Sequence, residues 1–251
     1  MLTDELSVSN CSFGYSQHTT VLEDLSLTFA PGATVLLGPN GAGKSTLLGL
    51  LASIYRPVRG SVELRGVGRT TERRSLRSYR RAVAWLPQHA GIFGGLTVRE
   101  HVAHSGWLKG MNRRDAWSRA LGALETMALE DFASRPATKL SGGQARRMQL
   151  AGALVHEARV ILLDEPTAGL DPLQQARFGE LIQTLPDHTI TIVATHDVDD
   201  LSDSFDRVVV IDDGTIRFEG TVQGFIAMAP QNVEEHRRGF VAYSQIVAPE
   251  G

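Results

Sequence analysis

Along the chain, short apolar runs alternate with stretches whose apolar positions recur at helical spacing. Leu6-Ser7-Val8, Leu25-Ser26-Leu27-Thr28-Phe29 and Val62-Glu63-Leu64 alternate apolar and polar residues with period two. That pattern predicts strands with one buried face. Val35-Leu36-Leu37, Val160-Ile161-Leu162-Leu163 and Val208-Val209-Val210-Ile211 are apolar throughout, and Thr189 to Thr195 is rich in β-branched residues. Such runs predict strands buried on both faces of a parallel sheet. Asp213-Gly214 predicts a tight turn into Ile216-Arg217-Phe218.

Helical signals fall between these runs. Leu47, Leu48, Leu50, Leu51 and Ile54 predict an apolar helix face just after a glycine-rich loop. Thr97-Val98-Arg99-Glu100 reads as a capping box, and Asp171-Pro172 as a cap followed by a first-turn proline. Asp197, Asp199, Asp200 and Asp203 suit the start of a helix after His196. From about His89 to His156 strand patterning almost vanishes. The expected fold class is α/β: a mostly parallel sheet flanked by helices, with an N-terminal antiparallel β region. One domain spans 1–229, its core being 1–88 and 157–229, with an inserted helical subdomain at 89–156. Ala229-Pro230 ends the last periodic segment and leaves 230–251 as a short tail.

Composition narrows the classes. The 251 residues can bury a core without staples. Cys11, a strand residue by pattern, is the only cysteine, which excludes an internal disulfide and a thiolate metal cluster. The formal net charge of −3 gives no global basic field, so no nucleic-acid partner is expected. Arg69 to Arg81 holds six arginines but few aromatics, and reads as a solvated, partly helical face. No apolar run approaches the roughly 20 residues needed to span a bilayer. The acidic start, Met1 to Glu5, lacks the apolar segment of a signal peptide. Work at a membrane would therefore need another chain to do the spanning. His101 and His104 lie three apart on a helix with too few neighbours for a metal site. Trp107 and Trp117 are expected to pack the helical insertion.

The chemistry is concentrated in two glycine motifs and an acidic pair. Gly38-Pro39-Asn40-Gly41-Ala42-Gly43-Lys44-Ser45-Thr46 matches G-x-x-x-x-G-K-[ST], after a buried strand and before an apolar-faced helix. Its glycines let the backbone aim N–H groups at phosphate oxygens, and the helix terminus adds positive charge. Lys44 can reach the β- and γ-phosphates, and the Ser45 hydroxyl can ligate Mg²⁺. Asp164 and Glu165 follow a buried strand, where ligands of open α/β sheets sit. Asp164 is placed for Mg²⁺ and Glu165 to orient an attacking water. In Leu140-Ser141-Gly142-Gly143-Gln144, Ser141 and Gln144 alone make an ordinary capping box. The two glycines exceed that need and leave a second anion site at a helix N-terminus.

This order of motifs, over about residues 5 to 225, resembles the ATP-binding cassette (ABC) ATPases. Leu140–Gln144, lying between the phosphate loop and the acidic strand, is the family-specific signal. The resemblance implies a P-loop NTPase core and assigns further positions. Tyr15 resembles the aromatic residue that stacks on adenine. Gln88 resembles the glutamine that touches Mg²⁺ and water, and His196 the switch histidine on the γ-phosphate. Asp171 resembles part of the loop linking opposed sites across a dimer. The 140–144 motif would complete the site of the opposite subunit, so two ATP molecules would lie between two cassettes, here expected as a homodimer. The implied protein is a Mg²⁺-dependent ATPase at the cytoplasmic face of the cell membrane, driving an integral membrane permease subunit. Gly94 to Glu100 resembles segments of exporter cassettes and leans the reading to export. A soluble ABC ATPase of iron–sulfur assembly type and an importer cassette are the alternatives.

Overall fold

The computed structural model describes residues 3–16, 19–89, 91–169, 172–198 and 204–247. Asp171, Asp199, Asp200 and Asp203 lie outside the described residues. In chain order the first half carries β1 (Leu6–Phe13), β2 (Leu22–Phe29), β3 (Gly32–Leu37), α1 (Lys44–Leu51), β4 (Arg59–Leu64), β5 (Gly68–Arg69), α2 (Arg73–Ala82) and β6 (Val83–Leu86). Three helices follow: α3 (Val98–Leu108), α4 (Arg113–Thr126) and α5 (Gly142–Leu154). Then come β7 (Val160–Asp164), α6 (Pro172–Gln183), β8 (Ile190–Thr195), β9 (Arg207–Asp212), β10 (Thr215–Thr221), α7 (Val222–Ile226) and α8 (Glu235–Val247).

Two sheets form. The smaller is antiparallel in the order β2-β1-β4-β5. The larger runs β10-β9-β3-β8-β7-β6, parallel except for the β9–β10 hairpin. Asp213 and Gly214 both have positive φ, at 44° and 69°, as the tight turn of that hairpin demands. Side chains of the central strands alternate between two cores. Leu36, Leu162, Ile192 and Val209 face the antiparallel sheet and α1, while Val35, Leu37, Leu163, Val193 and Val210 face the other helices. A strand between two cores must be apolar at every position, which is why these runs do not alternate.

The structure corrects several sequence expectations. α1 has no single apolar face: Leu47, Leu48, Leu50 and Leu51 are all fully buried, because the helix lies between the two sheets. Each such burial contributes about 1.5–3 kcal/mol. Ile54 falls beyond the helix and is exposed. Trp107 and Trp117 do not fill the helical lobe; each is 44% exposed. α4 turns the small residues Ala116, Ala120 and Ala123, with Leu124, inward. Those small residues permit close helix packing and leave Trp117 outside, under the Arg99 guanidinium at 4.1 Å. The 230–251 tail carries a helix, α8, which buries Ala242 and packs Val241, Tyr243 and Ile246 on the core. β6 and α2 are further elements within the expected core. On α2, Tyr79 is buried and donates to the Leu51 carbonyl at 2.7 Å, while its arginines stay exposed.

Candidate active site

The site is built where β3, β7 and β8 end. After Leu37 the backbone curls through Gly38–Gly43 into α1. A Cβ on Gly38 would stand 2.2 Å from the Ile211 carbonyl oxygen, so only glycine fits. Gly43, the cap of α1, has φ 103° and supplies no side-chain cap. The first-turn N–H groups of α1 are thus left for an anion.

Lys44 is 6% exposed. Its ammonium donates to the carbonyls of Gly38 at 2.6 Å and Pro39 at 3.2 Å, and lies 3.5 Å from Glu165 Oε1. Burial pulls its pKa down from the usual lysine range, with Glu165 opposing. Ser45 Oγ donates to Asp164 Oδ1 at 3.0 Å. Burial pushes the Asp164 carboxyl up, against that hydrogen bond. Asp164 and Ser45 therefore present a carboxylate and a hydroxyl side by side. Hard oxygen donors of this kind, with substrate oxygens and waters, make up a Mg²⁺ shell.

Glu165 follows the last residue of β7 and adopts φ 46°, a left-handed conformation costly for a side-chain-bearing residue. Its N–H donates to the Ala194 carbonyl at 2.9 Å, which fixes the turn. The carboxylate, 9% exposed, thereby reaches back between Lys44 and His196, whose Nδ1 lies 2.8 Å from Glu165 Oε2. Lys44, Glu165 and His196 are thus linked through the Glu165 carboxylate, beside the Ser45–Asp164 pair.

The remaining sequence candidates sit around it. Tyr15 is 61% exposed, its hydroxyl 2.9 Å from Thr46 Oγ1. Its ring meets Phe13 and Tyr55 edge to face, at 5.3 and 5.5 Å. Tyr55 was not singled out by the sequence; no motif marks it. Gln88 is exposed just after β6, and no hydrogen bond among the described residues joins it to Ser45 or Asp164. Leu140–Gln144 opens α5. Ser141 and Gln144 form the reciprocal capping box, and a Cβ on Gly142 would meet open space. Arg146, one turn into α5, was also missed. Its guanidinium donates to the Pro87 carbonyl at 3.1 Å and the Asp164 carbonyl at 3.0 Å. It thus ties α5 to the loop before Gln88 and to the end of β7.

Residues 22–168 match the ABC transporter family model, which is more than half of the chain. The chain is 39% identical over 213 residues to the energy-coupling factor transporter ATP-binding protein EcfA of Methanocaldococcus jannaschii, covering 83% of this chain and 76% of that protein. It is 36% identical to the cobalt import ATP-binding protein CbiO of Rhodobacter capsulatus, covering 90% and 82%. Among solved structures, cbiO1 of Clostridium perfringens, described as part of the ABC transporter complex cbiONQ, superposes with a TM-score of 0.80 at 28% identity. That match covers 88% of this chain and 90% of that one. The lean toward export drawn from Gly94–Glu100 finds no support in relatives named for energy coupling and cobalt import.

Proposed function

The chain belongs to the ABC transporter family as an ATP-binding subunit, and from that premise we propose that it hydrolyses ATP to power import through a separate membrane subunit. The observation that carries the reading is the Lys44–Glu165–His196 chain of contacts beside the Ser45–Asp164 pair, at the end of a glycine loop. Lys44 exchanges its carbonyl acceptors for the β- and γ-phosphate oxygens of ATP. Ser45 and Asp164, with Gln88 from the adjoining loop, would hold Mg²⁺, which when bound neutralises charge on the phosphates. Glu165, fixed by its backbone turn and by His196, orients the attacking water and draws off its proton. His196 then faces the γ-phosphate. Tyr15 offers its open ring face to adenine.

Gly142 and Gly143 stand at the mouth of α5 with free backbone N–H groups, and in this reading they close the site of a second cassette. Among the described residues no helix is long and apolar enough to cross a membrane, so the pathway is assigned to a partner chain. That partner docks in the groove between core and lobe, beside the loop after Gln88, and holds the cassette at the cytoplasmic face. The import direction follows the named transport roles of the relatives.

The test is purification of the tagged chain from detergent-solubilised native membranes, followed by mass spectrometry and an ATPase assay. A polytopic membrane protein should co-purify. Recovery of soluble partners alone would overturn the transport reading and leave the ATPase reading standing.

A further inference from the structure

Tyr15 lies past the end of β1 and is itself in no strand. An exposed aromatic ring with no ladder to fix it samples several rotamers, and a base that stacks on it must first select one. Two contacts restrain this ring, and both come from the side of α1. The first is the hydroxyl bond to Thr46 Oγ1 at 2.9 Å, where Thr46 is only 5% exposed. The second is Tyr55, whose ring meets that of Tyr15 edge to face at 5.5 Å and an interplanar angle of 87°.

Tyr55 is itself fixed. Its ring stacks on Phe13 at 5.1 Å and 27°, and Phe13 in turn meets Tyr15 at 85°. Tyr15 therefore stands perpendicular to a stacked pair. The stacked pair is seated on the phosphate-loop helix. The N–H of Tyr55 donates to the Gly49 carbonyl at 3.2 Å, and that of Ile54 to the same oxygen at 2.9 Å. A Cβ on Gly49 would stand 2.5 Å from Cδ2 and Cε2 of the Tyr55 ring, so the ring occupies the space that a side chain at 49 would fill. Thr46 and Gly49 are three residues apart on α1 and share a face. One holds the Tyr15 hydroxyl, the other carries the ring that holds Tyr15 from the side. Even so, Tyr15 keeps 61% of its surface open.

We propose that Tyr55 is a positioning residue for nucleotide binding: seated on Gly49, its ring sets the orientation of Tyr15 and keeps the base platform in register with the phosphate loop on the same helix. The inference rests on the reading of Tyr15 as the surface that meets adenine, and adds the residue that orients it. Tyr55 touches no nucleotide in this account and acts through Tyr15.

The test is calorimetry on the full chain with two probes, ATP and inorganic tripolyphosphate, each with Mg²⁺. The second has phosphates and no base. Tyr55→Ala should weaken ATP binding roughly two- to tenfold, the range of an aromatic pair, and leave tripolyphosphate binding unchanged. Tyr55→Phe, which keeps the ring, should rescue ATP affinity. Gly49→Ala, which unseats the ring while favouring the helix, should act as Tyr55→Ala does. In a Tyr15→Ala background, Tyr55→Ala should cause no further loss, because a residue acting through another adds nothing once that other is gone. Should Tyr55→Ala fail to fold, Tyr55→Leu and Gly49→Ala carry the same comparison. Equal loss for both probes marks a purely structural role and overturns the inference. Unchanged ATP affinity without the ring, or a full additional loss in the Tyr15→Ala background, overturns it too and leaves the adenine reading of Tyr15 intact. If Tyr15→Ala alone binds ATP as the parent does, that reading falls, and the inference with it.

Discussion

α1 and α5 both carry glycine at or next to their first residue, yet their N-termini are finished in opposite ways. α1 starts at Gly43 with no side-chain cap, buried between two sheets, and its first residue Lys44 turns back onto its own loop. α5 starts at Ser141 with a complete capping box, and Gly142 faces outward with nothing near it. A capping box satisfies two backbone donors from within the helix. α5 is thus stable without a ligand, while its glycines expose further N–H groups to whatever approaches. α1 leaves its donors to an anion inside the same chain. The same local chemistry serves a binding site in one case and an offered surface in the other. Burial decides which.

The largest expected effect sharpens the α1 side. Glu165→Gln should keep ATP affinity and lower turnover roughly 100- to 10,000-fold, the usual consequence of losing an acid–base group. Near-normal steady-state hydrolysis would remove the role given to Glu165. The two helix starts can then be set against each other. Lys44→Ala should weaken ATP binding to the monomer, read by calorimetry. Gly142→Asp should leave that binding intact and abolish ATP-dependent dimerisation in a Glu165→Gln background, read by light scattering, because it aims a carboxylate at an incoming phosphate. If Gly142→Asp weakens monomer binding as fully as Lys44→Ala, the contrast between the two termini collapses. Smaller is the effect of Tyr15→Ala, expected to weaken ATP binding by about 1–3 kcal/mol while Tyr15→Trp is tolerated. Equal affinity of both variants and the parent would make Tyr15 a packing residue. Smallest is Ser141→Ala. Loss of its cap should lower stability in urea by about 1 kcal/mol without changing monomer ATP affinity.

The α1 site was legible in the sequence because its determinants are contiguous. Nine residues from Gly38 to Thr46 fix the loop, and the fully apolar strands announce a sheet covered on both faces. What stayed hidden depends on distant partners. Nothing in Asp164-Glu165 reveals the left-handed backbone at Glu165, which is held by a hydrogen bond to Ala194, far along the chain. The bonds from Arg146 to Pro87 and Asp164 likewise leave no local pattern. The exposure of Trp117 is set by neighbouring alanines of α4 that pack in its place, and that of Trp107 by Val102 and Gly106, which α3 buries instead. α8 was missed because only a few of its side chains meet the core, too weak a stripe beside its charged half. Val83–Leu86 is a four-residue strand whose register comes from β7, not from its own sequence.

Arg146 has a mechanical consequence. α5 is a thirteen-residue helix, about 20 Å long at 1.5 Å per residue. Its far end, with Gly152 and Ala153, borders the groove between core and lobe, walled on the other side by the α2 arginines, and its near end is Gly142. The guanidinium bonds of Arg146 pin it to the core about 6 Å from Gly142 and about 12 Å from Leu154. A rod pinned there is an unequal-armed lever with its fulcrum at Arg146. A push of about 2 Å at the groove end would emerge at Gly142 as about 1 Å in the opposite sense, with travel exchanged for force.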